Sequence, residues 1–195
     1  MPMIVGHPAP PVTHSSLPPL PPLPDPASGP RSHSRRSFWL LMHRTAWVAA
    51  AVHVVFVGLF AGLGAGTLAW ANVGSVLLYA VVLVLQRQRR NLADALLVLV
   101  EILVHATVAV LAIGWQSGFH FYVTLVIPVV FLTGRSRRLQ WAIVLPVLLI
   151  YIGLDTVATR QPPWHTINPL ALDLLRHLNM VASLAILAHL SATYQ

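Results

Sequence analysis

The chain predicts an all-α integral membrane protein, a six-transmembrane-helix bundle behind a disordered, proline-rich N-terminal leader. Three observations carry this. Of 195 residues, 56% are hydrophobic and only 9% charged, where a soluble domain carries roughly 25% charged residues. The apolar residues fall into six runs, each near the roughly twenty residues needed to cross a bilayer. All twelve basic residues are arginines, and ten of them cluster between or before those runs, where membrane topology signals sit.

The leader occupies residues 1–37. Eleven of the sixteen prolines lie in the first thirty residues, including "LPPLPPLPDP". Such a segment cannot build a packed core and favours polyproline II or disorder. It contains P-x-x-P spacing, but the plain reading is a disordered cytoplasmic leader. It lacks the charged-then-apolar order of a signal peptide, and Met42 stands as an alternative start.

Residues 38–195 form the transmembrane domain. Its segments are placed at about 41–63, 67–86, 92–114, 118–134, 139–158 and 169–192. "RSHSRRS" precedes the first, "QRQRRN" joins two to three and "GRSRRLQ" joins four to five. The other side receives "GLGAGT", "WQSG" and "TRQPPWHTINP". Arg31, Arg35, Arg36, Arg44, Arg87, Arg89, Arg90, Arg135, Arg137 and Arg138 therefore share one side. By the positive-inside rule that side is cytoplasmic, and both termini with it. The formal charge of +7 thus reads as topology, with the lipid bilayer as partner and no nucleic acid. Trp70, Trp115, Trp141 and Trp164 fall near segment ends, as interfacial anchors do. Pro128 and Pro146 sit inside segments four and five, where membrane helices tolerate kinks.

Chemistry is concentrated in a few polar side chains. In "LLVLVEILVHATVAVLAIGW" of segment three, Glu101 and His105 lie four residues apart, on one helix face and one turn from each other. A charge at mid-membrane costs roughly 2.5–3.5 kcal/mol on insertion scales. Such a group faces the interior, finds a partner or is protonated. Two readings stand: a neutral Glu101 that locks helices by hydrogen bonds to His53, His105 or segment six, or a ligand, metal or proton site. In segment one, Ala46, Ala49, Ala50 and His53 share a face that continues to Val57 and Phe60. Small residues allow close helix approach, so this face points into the bundle. Gly58-x-x-x-Gly62 is a second close-packing candidate.

Segment six places Asp173 and His177 on one face, and Arg176, Asn179 and Ser183 on another. Asp173 and Arg176 fall near the outer surface, either paired or simply solvated, with Asn179 near mid-depth and His189 near the cytoplasm. His120 and Asp155 lie towards the outer ends of segments four and five. The outer half is expected to gather His105, His120, Asp155, Asp173, Arg176 and His177 into a mouth for a polar ligand or ion. His165, in the outer loop, is expected to be solvated.

Imidazole and carboxylate suit zinc, iron or copper, which makes His53, Glu101 and His105 the metal-ligand candidates. The Glu-x-x-x-His spacing differs from the Glu-x-x-His of di-iron bundles and from the His-Glu-x-x-His of zinc proteases. His53 and His105 on separate helices are also candidates to clamp a haem axially. No cofactor is the plainest expectation. The absence of cysteine excludes disulfides, thiolate metal sites and thiol redox chemistry. "GLGAG" follows no strand and is not followed by a lysine, so it is no phosphate loop. The cytoplasmic loops offer only arginines and amides, so no enzyme activity is expected of the chain itself.

Four features together carry a resemblance: "HRTAWVAAAVHVVF" in segment one, "EILVHA" in segment three, "GWQSGFHFY" followed by a proline across the outer loop, and "LN" in segment six. Over about residues 41–194 the chain resembles the six-helix membrane input domains found upstream of GGDEF diguanylate cyclases and of some bacterial class III adenylate cyclases. The resemblance implies a sensory or anchoring module in the bacterial inner membrane. It also implies a homodimer whose last helix leads to a cytoplasmic cyclase effector, C-terminal or in trans. No GGDEF or cyclase sequence is present in the chain. On this reading a ligand, ion or redox change acts around His53, Glu101, His105, His120 and Asn179, with His177, Arg176 and Asp173 nearby, and shifts segment six. The rival reading is a small six-helix membrane metal- or haem-binding electron-transfer protein. A transporter fits less well, since the loops are short and no internal repeat is visible.

Overall fold

The computed structural model describes residues 30–88, 91–132 and 136–193. Among these, six α-helices and no strands are found. They are α1 (Pro30–Gly62), α2 (Gly66–Arg87), α3 (Asn91–Ile113), α4 (His120–Leu132), α5 (Arg137–Arg160) and α6 (Pro169–Thr193), with a 3-10 turn at Trp115–Ser117 between α3 and α4.

Every helix except α4 contains a stretch long and apolar enough to cross a membrane. Large apolar side chains such as Val55, Leu77, Leu149 and Leu170 are exposed on them. A surface of that kind is stable against lipid rather than water, so the chain is a multi-pass membrane protein. The fourth segment departs from expectation. Placed at 118–134, it appears as a helix of 13 residues, about 20 Å long, where the hydrocarbon core is about 30 Å thick. Its opening residues are used in a tight turn instead, with Gly114 and Gly118 at φ 92° and 79°. Five spans are therefore established by length, and the sixth is not.

The start of α1 also differs. Residues 30–37, assigned to the leader, are helical. Pro30 has the fixed φ suited to a helix's first turn, and no glycine or proline follows it until Gly58. Residues 1–29 lie outside the described residues.

The helices pack in chain order, α1 on α2 and α2 on α3. Then α4 sits among α3, α5 and α6, and α6 packs on α4 and the 3-10 turn. The hydrogen bond between His43 Nδ1 and Gln86 Oε1 at 2.9 Å joins the start of the apolar stretch of α1, Met42–Gly62, to the end of α2. Gln140 Nε2 donates to the Phe131 carbonyl, joining α5 to the end of α4. Arg44, Arg87, Arg137 and Arg138 thus share one end of the bundle, called the arginine end here; the other is the loop end.

Local chemistry closes the loop end. The "GLGAG" run is a Schellman motif: Ala65 N–H donates to Phe60 O and Gly64 N–H to Ala61 O, with Gly64 left-handed at φ 73°. The last carbonyls of α3 are satisfied by the loop before α6, through Trp164 N–H to Leu111 O and His165 N–H to Ala112 O. His165 is therefore tied down, its side chain also meeting Thr67 Oγ1 at 3.1 Å. Trp70, Trp141 and Trp164 are exposed as anchors should be. Trp115 instead stacks on His120, rings 4.0 Å apart and 5° from parallel.

Among the described residues, three apolar clusters fill the interior; one, with Ala106, Val123, Val126, Val144 and Val147, joins α3, α4 and α5, and the other two are layers stacked along α1–α3. Towards the arginine end lie Ala46, Tyr79, Val82, Leu83 and Val98. Towards the loop end lie Phe56, Phe60, Leu68, Ile113 and Phe119, among others.

Candidate functional site: a buried His–Glu–His cluster

Between those layers, at mid-height of α1, α2 and α3, the polar side chains converge. The small face of α1 turns inward as expected, and Ala46, His53 and Phe60 are all buried. Gly58 and Gly62 face outward, and a Cβ at either would meet nothing within 4 Å among the described residues. Glu101 and His105, one turn apart on α3, also point inward and are buried. His53 Nε2 lies 3.3 Å from Glu101 Oε1, and His105 Nδ1 lies 3.8 Å from the same oxygen. The rings of His53 and His105 meet edge to face, centroids 4.7 Å apart at 77°.

Helix α2 completes the cluster. Ser75 Oγ donates to Glu101 Oε1 at 2.7 Å, and Tyr79 O–H donates to Glu101 Oε2 at 3.0 Å. Asn72, fully buried, meets His53 Nδ1 with Oδ1 at 2.7 Å, while its Nδ2 donates to the Leu68 carbonyl, also at 2.7 Å. A carbonyl only accepts, so the amide can point only one way. His53 Nδ1 must then carry the hydrogen. Its other nitrogen faces a carboxylate oxygen, and two lone pairs at 3.3 Å repel unless a cation lies between them. Ser75 spends its hydrogen on Glu101, so its oxygen accepts from His105 Nδ1–H at 3.3 Å. His105 Nε2 is buried without a hydrogen-bond partner.

Asn72, Ser75 and Tyr79 were not legible as site residues. Their signal was modest: polar groups three and four residues apart on one face of an apolar helix.

The other expected residues do not join the cluster. Asn179, expected beside Glu101, is buried at the loop end, where Nδ2 donates to Ser117 O at 2.9 Å and Oδ1 accepts from Tyr122 O–H at 3.2 Å. His120 stacks on Trp115 and meets the tilted ring of Phe121. Asp173 pairs with His177 at 3.6 Å on an exposed face rather than with Arg176. Arg176 reaches Gln116 Oε1 at 3.5 Å, and Asp155 is exposed. Of the expected outer mouth, His120 lies within electrostatic reach of Asp155 and Arg176, whereas His105 belongs to the cluster and Asp173 and His177 pair on an exposed face.

The axial haem arrangement also fails. A macrocycle needs its two imidazoles facing each other across its plane, and these rings touch edge to face. A smaller ligand set does fit: His53, Glu101 and His105 each offer one ligand atom, all within 4.8 Å of one another.

Comparison of the chain with protein-family models, curated proteins and solved structures finds no match. The site's geometry therefore carries the functional argument.

Proposed function

We propose that the chain is a membrane-embedded signal-input module of the kind that regulates a cytoplasmic nucleotide cyclase, in the first instance a diguanylate cyclase. The His53–Glu101–His105 cluster is its receiving site and α6 its output. It works in the bacterial inner membrane as a homodimer with both termini cytoplasmic, and the chain itself supplies no catalysis.

One observation carries this reading: a continuous line of contacts runs from the cluster to α6. The His105 ring meets Phe119 at 5.9 Å, and Phe119 meets Tyr122 at 6.1 Å. Tyr122 O–H donates to Asn179 of α6, which also holds the Ser117 carbonyl. Beside Phe119, Gly118 is so close to α6 that a Cβ there would lie 3.1 Å from Arg176 Cα. The "EILVHA", "GWQSGFHFY" and "LN" stretches are thus one physical unit. Packed interiors shift between discrete arrangements rather than deforming smoothly, so a change in ligation at His105 is passed on as a displacement of Phe119 and α6. A signal biases such an element only by binding its two arrangements unequally.

The test is a chimera with a diguanylate cyclase domain joined after α6, read as cyclic dinucleotide in cells. Glu101→Gln and His105→Ala should change output by several-fold with membrane insertion intact, and Asn179→Ala should abolish the response to either change. Unaltered output from normally inserted variants would leave the cluster as helix packing alone.

A further inference from the structure

We infer that His53, Glu101 and His105 form a binding site for a divalent first-row transition-metal ion of the zinc class. The inference rests on the input reading in taking this cluster as the receiving site, and adds the chemistry of what is received.

The atoms are spaced for it. Zinc binds imidazole nitrogen and carboxylate oxygen at roughly 2.0–2.2 Å, which in tetrahedral geometry separates neighbouring ligand atoms by roughly 3.3–3.6 Å. His53 Nε2 to Glu101 Oε1 is 3.3 Å and His105 Nδ1 to Glu101 Oε1 is 3.8 Å. The third pair, His53 with His105, lies within 4.8 Å, so a side-chain movement of up to about an ångström closes the set. Two histidines and one carboxylate leave a further position open, as catalytic and sensory sites do and closed structural sites do not.

The outer partners are those a metal site uses. A ligating histidine donates its second N–H to a fixed acceptor, which sets the tautomer and aims the ring. His53 does this to Asn72 Oδ1, and the amide is itself pinned by Leu68 O. A ligating carboxylate is likewise hydrogen-bonded, and Glu101 accepts from Ser75 and Tyr79. The arrangement also demands a cation between His53 Nε2 and Glu101 Oε1. A proton satisfies that pair alone, whereas a metal ion serves His105 as well. Ligation through Nδ1 would fix the His105 ring and requires the other tautomer, with the hydrogen moved from Nδ1 to Nε2, which has no protein partner. Metal binding requires the ligating nitrogens and the carboxylate to be free of hydrogen.

The experiment uses the full chain in lipid nanodiscs, stripped with chelator and re-equilibrated with Zn²⁺. One zinc per chain is expected to survive desalting by elemental analysis. Glu101→Gln and His53→Gln should each weaken binding at least about a hundredfold, and Asn72→Ala about 10–100-fold. His177→Ala should leave it unchanged. Co²⁺ bound to the wild-type chain should show the intense ligand-field absorption of four- or five-coordination, a readout that needs no variant to fold. Zinc below stoichiometry, zinc retained equally by Glu101→Gln, or a purely aquo-cobalt spectrum would each overturn the inference. The two proposals fail separately. Stoichiometric zinc with chimera output indifferent to the variants removes the input role and keeps the metal site. Altered output without zinc binding does the reverse.

Discussion

His53 Nδ1 donates to Asn72 Oδ1 across the seam between α1 and α2, at 2.7 Å. Because Asn72 Nδ2 is already committed to Leu68 O, this bond decides the histidine's tautomer and aims Nε2 at Glu101. One amide on α2 thereby sets, through a histidine of α1, the chemistry of a carboxylate on α3.

Asn72→Ala is expected to leave a buried imidazole N–H without an acceptor, at a cost of about 1–3 kcal/mol. Thermal unfolding in nanodiscs measures it. Stability equal to wild type would show that the amide does not hold His53.

The two hydroxyl donors to Glu101 make a second case. Tyr79→Phe and Ser75→Ala each remove one bond to a group that bears or shares a charge, worth about 1.5–3 kcal/mol. Thr124→Ala, at an exposed position bonded only within its own helix, should cost well under 1 kcal/mol. In a cycle with Glu101→Gln the Tyr79 effect should shrink, since contacting residues couple. Full additivity would place the Tyr79 hydroxyl outside the cluster's energetics.

Gly118 and Gly64 provide a ranking. Both are left-handed, so an alanine at either carries a backbone penalty of about 1–2 kcal/mol. A Cβ at Gly64 meets nothing, whereas at Gly118 it lies 3.1 Å from the Arg176 Cα and carbonyl oxygen. Gly118→Ala should therefore be the more destabilising, and should loosen α6 specifically. Faster hydrogen exchange confined to α6 is the expected signature.

Topology can be read cleanly because the chain has no cysteine of its own. Single cysteines at Gln88 and Ser136 should label from the same membrane side, and one at Gln161 from the opposite side. That pattern requires α4 to cross. Gln88 and Ser136 labelling from opposite sides would make α4 a helix that enters and does not span.

Much of this architecture was legible in the residues. Apolar runs of bilayer length marked the five long helices, and the 3.6-residue period of Ala46, Ala49, Ala50 and His53 marked the inward face of α1. Glu101 was conspicuous because desolvating a carboxylate is so costly that its helix must turn it inward. Ser75 and Tyr79 were not, since a hydroxyl is cheap to place in an apolar helix and announces nothing until its partner is known. Asn179 was assigned to the wrong layer for a related reason. Its partner is the backbone carbonyl of Ser117, and a carbonyl has no sequence signature.

By itself, then, the sequence determined that this chain lives in a membrane, which faces of α1 and α3 turn inward, and that Glu101 and His105 lie one turn apart. Those outcomes follow from hydrophobicity and helical period, which act within one segment. Only the tertiary structure decided that His53 rather than Asn179 meets Glu101, that α2 supplies Asn72, Ser75 and Tyr79, and that the 114–119 turn joins the cluster to α6. These depend on how far each helix slides and rotates against its neighbours. A shift of one residue along an α-helix turns its side chains by 100°, and only the packed partners fix that register.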